Sequence, residues 1–173
     1  MSRQYPNALA LSHRVLRFLI GLNLLMGVLI FALLVASLIA RTWVMTALGV
    51  KPSDNQSLIL GARSIMVIGI AGVPLMHVVL SRLLAIVETV RDGDPFVAEN
   101  AERLQRIAWS VLGLEVLHIA VMTIATAVST ETTPIDIKWR LNVARLVTVL
   151  LLFVLARVFE HGTRMREDLE GTV

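Results

Sequence analysis

The sequence predicts an all-α membrane protein: an antiparallel bundle of four transmembrane helices with both termini in the cytoplasm. Two observations support this prediction. Hydrophobic residues make up 56% of the 173 residues and charged residues only 17%, and the apolar residues are gathered into four runs. So short a chain has too much surface per unit of volume to bury that many aliphatic side chains in water. A lipid bilayer is therefore the expected solvent and the first expected partner.

The four predicted spans form a single domain over residues 1–173, but they are not equally well defined. At about 1.5 Å per residue, the first three, at about residues 18–40, 64–86 and 107–129, are long enough for a hydrocarbon layer of roughly 30 Å. The first run could also be interpreted as a cleaved signal peptide, although it is longer than the apolar region of a usual signal peptide. The fourth, at about 141–159, has only eleven uncharged residues between Arg145 and Arg157. It crosses only if Arg145 lies in the membrane or snorkels outward.

The distribution of basic residues predicts the orientation of these spans. Ten of the 16 Lys and Arg residues lie in residues 1–17, in the 82–106 connection, or from Arg157 onward. Lys and Arg resist translocation, so these three segments are expected on the cytoplasmic side of a bacterial inner membrane. No basic stripe with interleaved aromatic residues is present, which argues against direct binding of nucleic acid.

The connection between the second and third spans carries turn chemistry. Gly93 to Phe96 predict a turn, with Asp94 as the N-cap of the following helix and Pro95 at its first position. An amphipathic segment is expected over residues 93–106. Its apolar face is expected to lie on the membrane surface or to dock a protein. The residues of that face are Val97, Ala101, Leu104 and Ala108.

Three stretches carry a resemblance to a known family: the Gly93 to Phe96 turn, the stretch from Glu99 to Leu104, and the C-terminal residues from Arg166 to Val173. Together they resemble the bacterial membrane proteins of domain-of-unknown-function family 2975. The resemblance implies four transmembrane helices and no defined activity. It also suggests a soluble partner, a helix-turn-helix transcription regulator, because members are often encoded beside one. The signature residues expected to bind a partner or to brace the bundle are Gly93, Asp94, Pro95, Phe96, Asn100, Arg103, Glu167, Asp168, Leu169, Thr172 and Val173.

Four ionisable residues form an expected polar layer near the membrane midplane: Glu115, His118, His77 and Arg145. The simplest arrangement pairs Glu115 with Arg145 and leaves the histidines to bond across the bundle. Alternatives are a haem iron held by His77 and His118, or a proton or solute path of a small transporter. A di-iron site would need more carboxylates than Glu115 alone.

Several function classes lack any supporting pattern. The chain has no cysteine, which excludes disulfides and cysteine-ligated metal sites. It has no phosphate-binding glycine loop, nucleophile elbow or zinc-protease motif, so no enzyme activity, metal site or cofactor is predicted. The expected function is that of a non-enzymatic membrane component whose cytoplasmic loop 93–106 and tail 160–173 bind a soluble partner. The sequence leaves open whether the chain forms a homo-oligomer.

Overall fold

A computed structural model describes residues 5–47, 56–128 and 143–170. These residues form five helices and no strand: α1 (Tyr5–Ile39), α2 (Arg41–Ala47), α3 (Gln56–Arg91), α4 (Ala98–Val128) and α5 (Val143–Glu170). All except α2 contain a stretch long and apolar enough to cross a membrane. The predicted class, a multi-pass all-α membrane protein built on four long helices, is confirmed.

Each long helix packs mainly against its neighbour in the order α1, α3, α4, α5. The pairs are antiparallel, since partners along each interface step in opposite directions. Between α1 and α3, His13 meets Glu88 and Ser37 meets Arg63. A Cβ atom at Gly27 would lie 3.0 Å from Val73 Cγ1, and one at Gly113 would lie 3.1 Å from Leu75 Cδ1. Small residues therefore let α3 approach both of its neighbours closely.

We call the end of the bundle that carries the Gly93 to Phe96 turn the turn end, and the opposite end the distal end. Both described ends of the chain, Tyr5 and Glu170, belong to helix termini at the turn end. At the distal end, α2 follows α1 after a bend at Ala40, where the Val44 amide donates to the Ala40 carbonyl at 3.1 Å. Val44 is buried and Trp43 is exposed. There Arg63 of α3 donates to the backbone carbonyl of Ser37, in the last turn of α1. A cation at this position complements the negative end of the helix dipole.

The helices extend beyond the predicted apolar runs. α1 starts at Tyr5 and α3 continues to Arg91, so both project past the hydrophobic stretch at the turn end. α5 continues unbroken to Glu170, which makes most of the predicted tail helical. Thr172 and Val173 lie outside the described residues. A polar side chain does not end a helix by itself, because its backbone bonds are made within the helix.

Candidate functional site

The turn end is held together by a set of hydrogen bonds centred on Asn100. Its Nδ2 donates to Thr89 Oγ1 at 2.8 Å and to the Pro95 carbonyl at 2.9 Å. Its Oδ1 accepts from Arg103 at 2.8 Å, and Arg103 also donates to the Ala85 carbonyl at 3.3 Å. Asn100 has no exposed surface. The side chain therefore joins the end of α3, the turn and the start of α4 in one network, which we call the Asn100 network.

The turn itself ends α3 in a Schellman motif. The Asp94 amide donates to the Thr89 carbonyl at 3.1 Å, and the Gly93 amide donates to the Val90 carbonyl at 3.2 Å. Gly93 has a φ of 91°, a left-handed conformation that favours glycine. The backbone therefore strongly favours glycine at this position, which accounts for one of the signature residues.

The predicted N-terminus of α4 is wrong by three residues. Asp94 was expected to cap the helix and Pro95 to occupy its first position, but α4 begins at Ala98. The Asp94 amide is used in closing α3, and the Pro95 carbonyl is bonded by the side chain of Asn100. The Asn100 amide donates to the Val97 carbonyl at 3.0 Å, so the first turn of α4 starts there.

The apolar face of the predicted amphipathic segment also lies elsewhere than expected. Leu104 and Ala108 are buried, as is the neighbouring Ile107. Asn100 and Arg103, on adjoining positions, bond to residues of α3. Leu104 and Ala108 of this face therefore pack inside the bundle instead of lying on a membrane surface, whereas Ala101 lines a groove between α4 and α5. Asn100 is not available to contact another protein.

Phe96 connects the turn to α5. Its ring centroid lies 5.5 Å from that of Phe159, and a Cβ atom at Gly162 would lie 3.3 Å from Phe96 Cδ1. Deeper in the same interface, the rings of Trp109 and Phe153 meet edge to face at 5.3 Å. α5 therefore braces the turn with the segment that follows its apolar run. Glu167, Asp168 and Leu169 lie on the last turns of α5, and their side chains are not among those described.

A groove of about 420 Å³ lies between α4 and α5 at the turn end. Its floor contains the buried Ala156 and Thr163. Glu160 accepts from both Arg157, at 2.9 Å, and Arg164, at 2.7 Å. The remaining lining residues are Ala98, Ala101, Glu102, Gln105 and Phe153. The groove thus exposes both charge signs beside small apolar side chains, and nothing in the sequence pattern located it.

Four arginines, one on each long helix, lie at the same height along the bundle, where the turn end meets the apolar part of the helices. Gly27 of α1 lies level with Val73 of α3. Because the two helices are antiparallel, Arg17, ten residues before Gly27, lies level with position 83, one residue from Arg82. The contacts of Ala85 with Arg103 and of Leu75 with Gly113 place Arg106 level with Arg82. Arg106 precedes Trp109 by three residues and Arg157 follows Phe153 by four, so these two are also level. We call Arg17, Arg82, Arg106 and Arg157 the arginine layer.

The predicted midplane residues are divided between two interfaces. Glu115 and His118 line a cavity of about 260 Å³ together with Thr148 and Val149 of α5. His77 follows Val73 by one turn of α3, and Val73 packs against Gly27 of α1. The side chain of Arg145 is not described, so its predicted pairing with Glu115 stays a prediction. Asn23 of α1 donates to the Val73 carbonyl at 3.1 Å, just before the proline of α3.

The two histidines are also at different heights. The α3 and α4 register places His77 level with position 111, which is seven residues from His118. At about 1.5 Å per residue, they are roughly 10 Å apart along the bundle. This arrangement gives no support for one haem iron held by His77 and His118. No group of three or more His, Cys, Asp or Glu residues that could hold a metal ion occurs in the described parts of the chain.

Comparisons with known proteins place the chain in a family but assign it no activity. No curated protein and no solved structure matches it. One family model, described as a protein of unknown function (DUF2975), matches residues 41–173, which is well over half of the chain and includes α2 to α5. With the Gly93 turn, the Asn100 network and the C-terminal helix all inside the matched region, the chain belongs to the DUF2975 family.

Proposed function

We propose that this protein is a non-enzymatic component of the bacterial inner membrane that binds a soluble partner at its turn end. The observation that carries the proposal is the groove between α4 and α5, which extends on both sides of the arginine layer and exposes charged and small apolar side chains together. The excess of basic residues around the turn end favours its cytoplasmic location. A soluble protein would then have direct access to the groove.

The turn end is long enough to present a surface to such a partner. α5 continues for thirteen residues beyond Arg157, to Glu170, and this corresponds to about 20 Å of helix. α4 begins eight residues before Arg106, about 12 Å on the same side of the layer. The Asn100 network and the contact between Phe96 and Phe159 hold these extensions in fixed positions. A preformed surface of this kind loses little conformational entropy on binding.

The family resemblance favours a transcription regulator with a helix-turn-helix domain as the partner. A short helix with basic and acidic residues on one face would complement the groove, since Glu102 and Arg157 line its two walls. In this function the membrane protein holds the regulator at the membrane and away from its operator.

The groove can be tested with a photo-cross-linking amino acid at Gln105, inside it, and at Glu99, which is exposed on the same helix but is not part of the lining. We expect Gln105 to form an adduct with one soluble protein in intact cells and Glu99 to form none. Ala101→Phe, which fills the groove, should abolish the adduct, whereas Glu99→Phe should leave it unchanged. Equal adducts from the two positions, or an adduct insensitive to Ala101→Phe, would rule out the groove as the binding site.

The C-terminal residues require a separate test. Deletion of residues 167–173 removes only the last turn of α5 and the residues after it. We expect the shortened chain to insert into the membrane at a normal level and to lose the partner in a pull-down. Equal recovery with the full and shortened chains would assign these residues to bracing alone.

The alternative function is a small transporter, and the cavity beside Glu115 and His118 favours it. An acidic and a titratable side chain next to a cavity inside the apolar region are features of proton-coupled sites. The rate of proton or solute transport into proteoliposomes should then be lowered by Glu115→Gln and by His118→Gln. A flux that neither substitution changes would remove this alternative, and it would leave the groove proposal untouched.

A further inference from the structure

The arginine layer has the geometry of a phosphate-binding girdle. Eighteen uncharged residues of α3 lie between Arg63 and Arg82, which are therefore about 28 Å apart along the helix. This length matches the hydrocarbon thickness of a typical bilayer, roughly 30 Å. Arg63 then marks the distal boundary of the hydrocarbon layer and Arg82 marks the boundary at the turn end. The other three arginines lie at the height of Arg82 and therefore at the level of the headgroups.

In the described part of the chain, these arginines have guanidinium N–H donors that make no hydrogen bond. Among the described residues, no hydrogen bond or ion pair engages Arg17 or Arg82, and Arg82 Nε is buried without a partner. Arg106 approaches Glu102 only at 3.5 Å, with both side chains largely exposed. Arg157 bonds Glu160 through one nitrogen and is 82% exposed. A guanidinium carries five N–H donors, so each of the four can still bind an oxyanion.

The carboxylates nearest to the layer lie on its outer side. Glu102 precedes Arg106 by four residues and Glu160 follows Arg157 by three. Both glutamates therefore lie about 5 Å further from the apolar region than the arginines do. On the inner side, α1 has no acidic residue at all and α4 has none before Glu115. The order from the membrane outward is therefore apolar residues, arginines and then carboxylates. Phosphate groups at the arginine level therefore meet cations that have no carboxylate close to them on the membrane side.

We propose that Arg17, Arg82, Arg106 and Arg157 bind the phosphate groups of anionic phospholipids, so that the turn end gathers these lipids around the bundle. The chemistry recognised is a phosphate oxyanion, and its source is the lipid headgroup because the arginines lie at the edge of the apolar surface. This property goes beyond partner binding, because only Arg157 of the four arginines lines the groove and none lies in residues 167–173.

Trp109 provides a reporter for the test. It is 59% exposed and lies one turn inside the layer, against Phe153. The full chain with Trp43→Phe and Trp139→Phe is reconstituted into phosphatidylcholine bilayers that contain a minor fraction of brominated lipid. That lipid is phosphatidylglycerol in one sample and phosphatidylcholine in the other. We expect quenching at Trp109 to be at least about twofold stronger with the brominated phosphatidylglycerol, because each nearby arginine attracts anionic lipid.

The variants separate the layer from general basic charge. Replacing all four arginines by Gln should make the two lipids quench equally, whereas replacing them by Lys should keep the difference. Arg91→Gln with Arg164→Gln, which removes two basic residues beyond the layer, is the matched control and should change nothing. If the fourfold Gln variant does not fold, Arg106→Gln with Arg157→Gln tests the half of the layer next to Trp109.

Four results would overturn the proposal. Equal quenching by the two lipids in the parent protein would show that no anionic lipid is gathered. An unchanged difference in the fourfold Gln variant, or a loss of the difference in the Arg91 and Arg164 control, would place the attraction outside the layer. Suppression of the difference by millimolar inorganic phosphate, but not by chloride at equal ionic strength, would show that the site takes free phosphate instead of lipid.

Discussion

Polar side chains at the turn end and in the middle of the bundle differ in how many hydrogen bonds they make. At the turn end, Asn100 makes two hydrogen bonds as a donor and one as an acceptor, and its partners come from three consecutive segments. In the middle, Asn23 makes a single bond to a backbone carbonyl, and His77 Nδ1 is buried with no partner among the described residues. Since a buried polar group stabilises a fold only when its bonds are made, Asn100 contributes more to the specificity of the fold than Asn23 or His77 does.

The largest expected effect follows from breaking the Asn100 network. Asn100→Leu leaves the Pro95 carbonyl without this donor and removes an acceptor from Arg103. The free energy of unfolding should fall by about 2 to 3 kcal/mol, the cost of leaving buried polar groups unpaired. Unfolding of the full chain in detergent, followed by far-ultraviolet circular dichroism, measures the change. Glu99→Leu on the exposed side of the same helix is the control, and an equal loss from both would contradict the comparison.

The next effect concerns the backbone of the turn. Gly93→Ala places a side chain at a φ of 91° and should cost about 1 to 2 kcal/mol. Gly21→Ala lies in the interior of α1, where an added Cβ atom meets nothing within 4 Å. It should stabilise the protein by up to about 1 kcal/mol, because alanine favours a helix over glycine. The same unfolding measurement should therefore give opposite signs for the two glycines, and a shared sign would show that the turn is not strained.

A smaller effect is expected at the contact between α1 and α3. Asn23→Ala removes one hydrogen bond to the Val73 carbonyl and should cost about 1 kcal/mol. Leu24→Ala removes an exposed side chain of the neighbouring position and serves as the control for truncation. If Asn23→Ala costs as much as Asn100→Leu, the middle of the bundle is as strongly specified by polar contacts as the turn end.

The smallest effects are expected from replacing two histidines, His77 and His13. His77→Leu should change the free energy of unfolding by no more than about 0.5 kcal/mol, or raise it, because a buried atom without a partner is removed. His13→Leu should lower it by about 0.5 kcal/mol, since the Nε2 atom of His13 lies 3.2 Å from a half-exposed carboxylate of Glu88. A loss of more than about 1 kcal/mol at His77 would reveal a partner there.

The sequence predicted the long helices more completely than it predicted their contacts. Runs of apolar residues indicate which stretches can cross a membrane, and each predicted span overlaps one long helix. The start of α4 was misplaced because Asp94 and Pro95 satisfy the usual rules for a helix N-terminus. The left-handed Gly93 instead assigns the amide of Asp94 to the end of α3.

The roles of the signature residues depend on how the helices are rotated about their axes, which a single sequence does not show. Asn100 was expected either to bind a partner or to brace the bundle, and the structure places it completely buried. His77 and His118 appeared to share one depth, because each was counted from its own apolar boundary. The register between α3 and α4 separates them, and the contacts of Leu75 with Gly113 and of Ala85 with Arg103 reveal that register. The groove between α4 and α5 required the same information.

The short connection between α3 and α4 has a consequence for biosynthesis. Only the six residues from Asp92 to Val97 separate the two helices, and the bonds of the Schellman motif and of the Asn100 network lie within residues 85–103. Once Val128 has left the ribosome, the pair has every residue it needs to form a helical hairpin. The hairpin can therefore enter the bilayer as a unit, with Asn100 already bonded, before α5 has been translated.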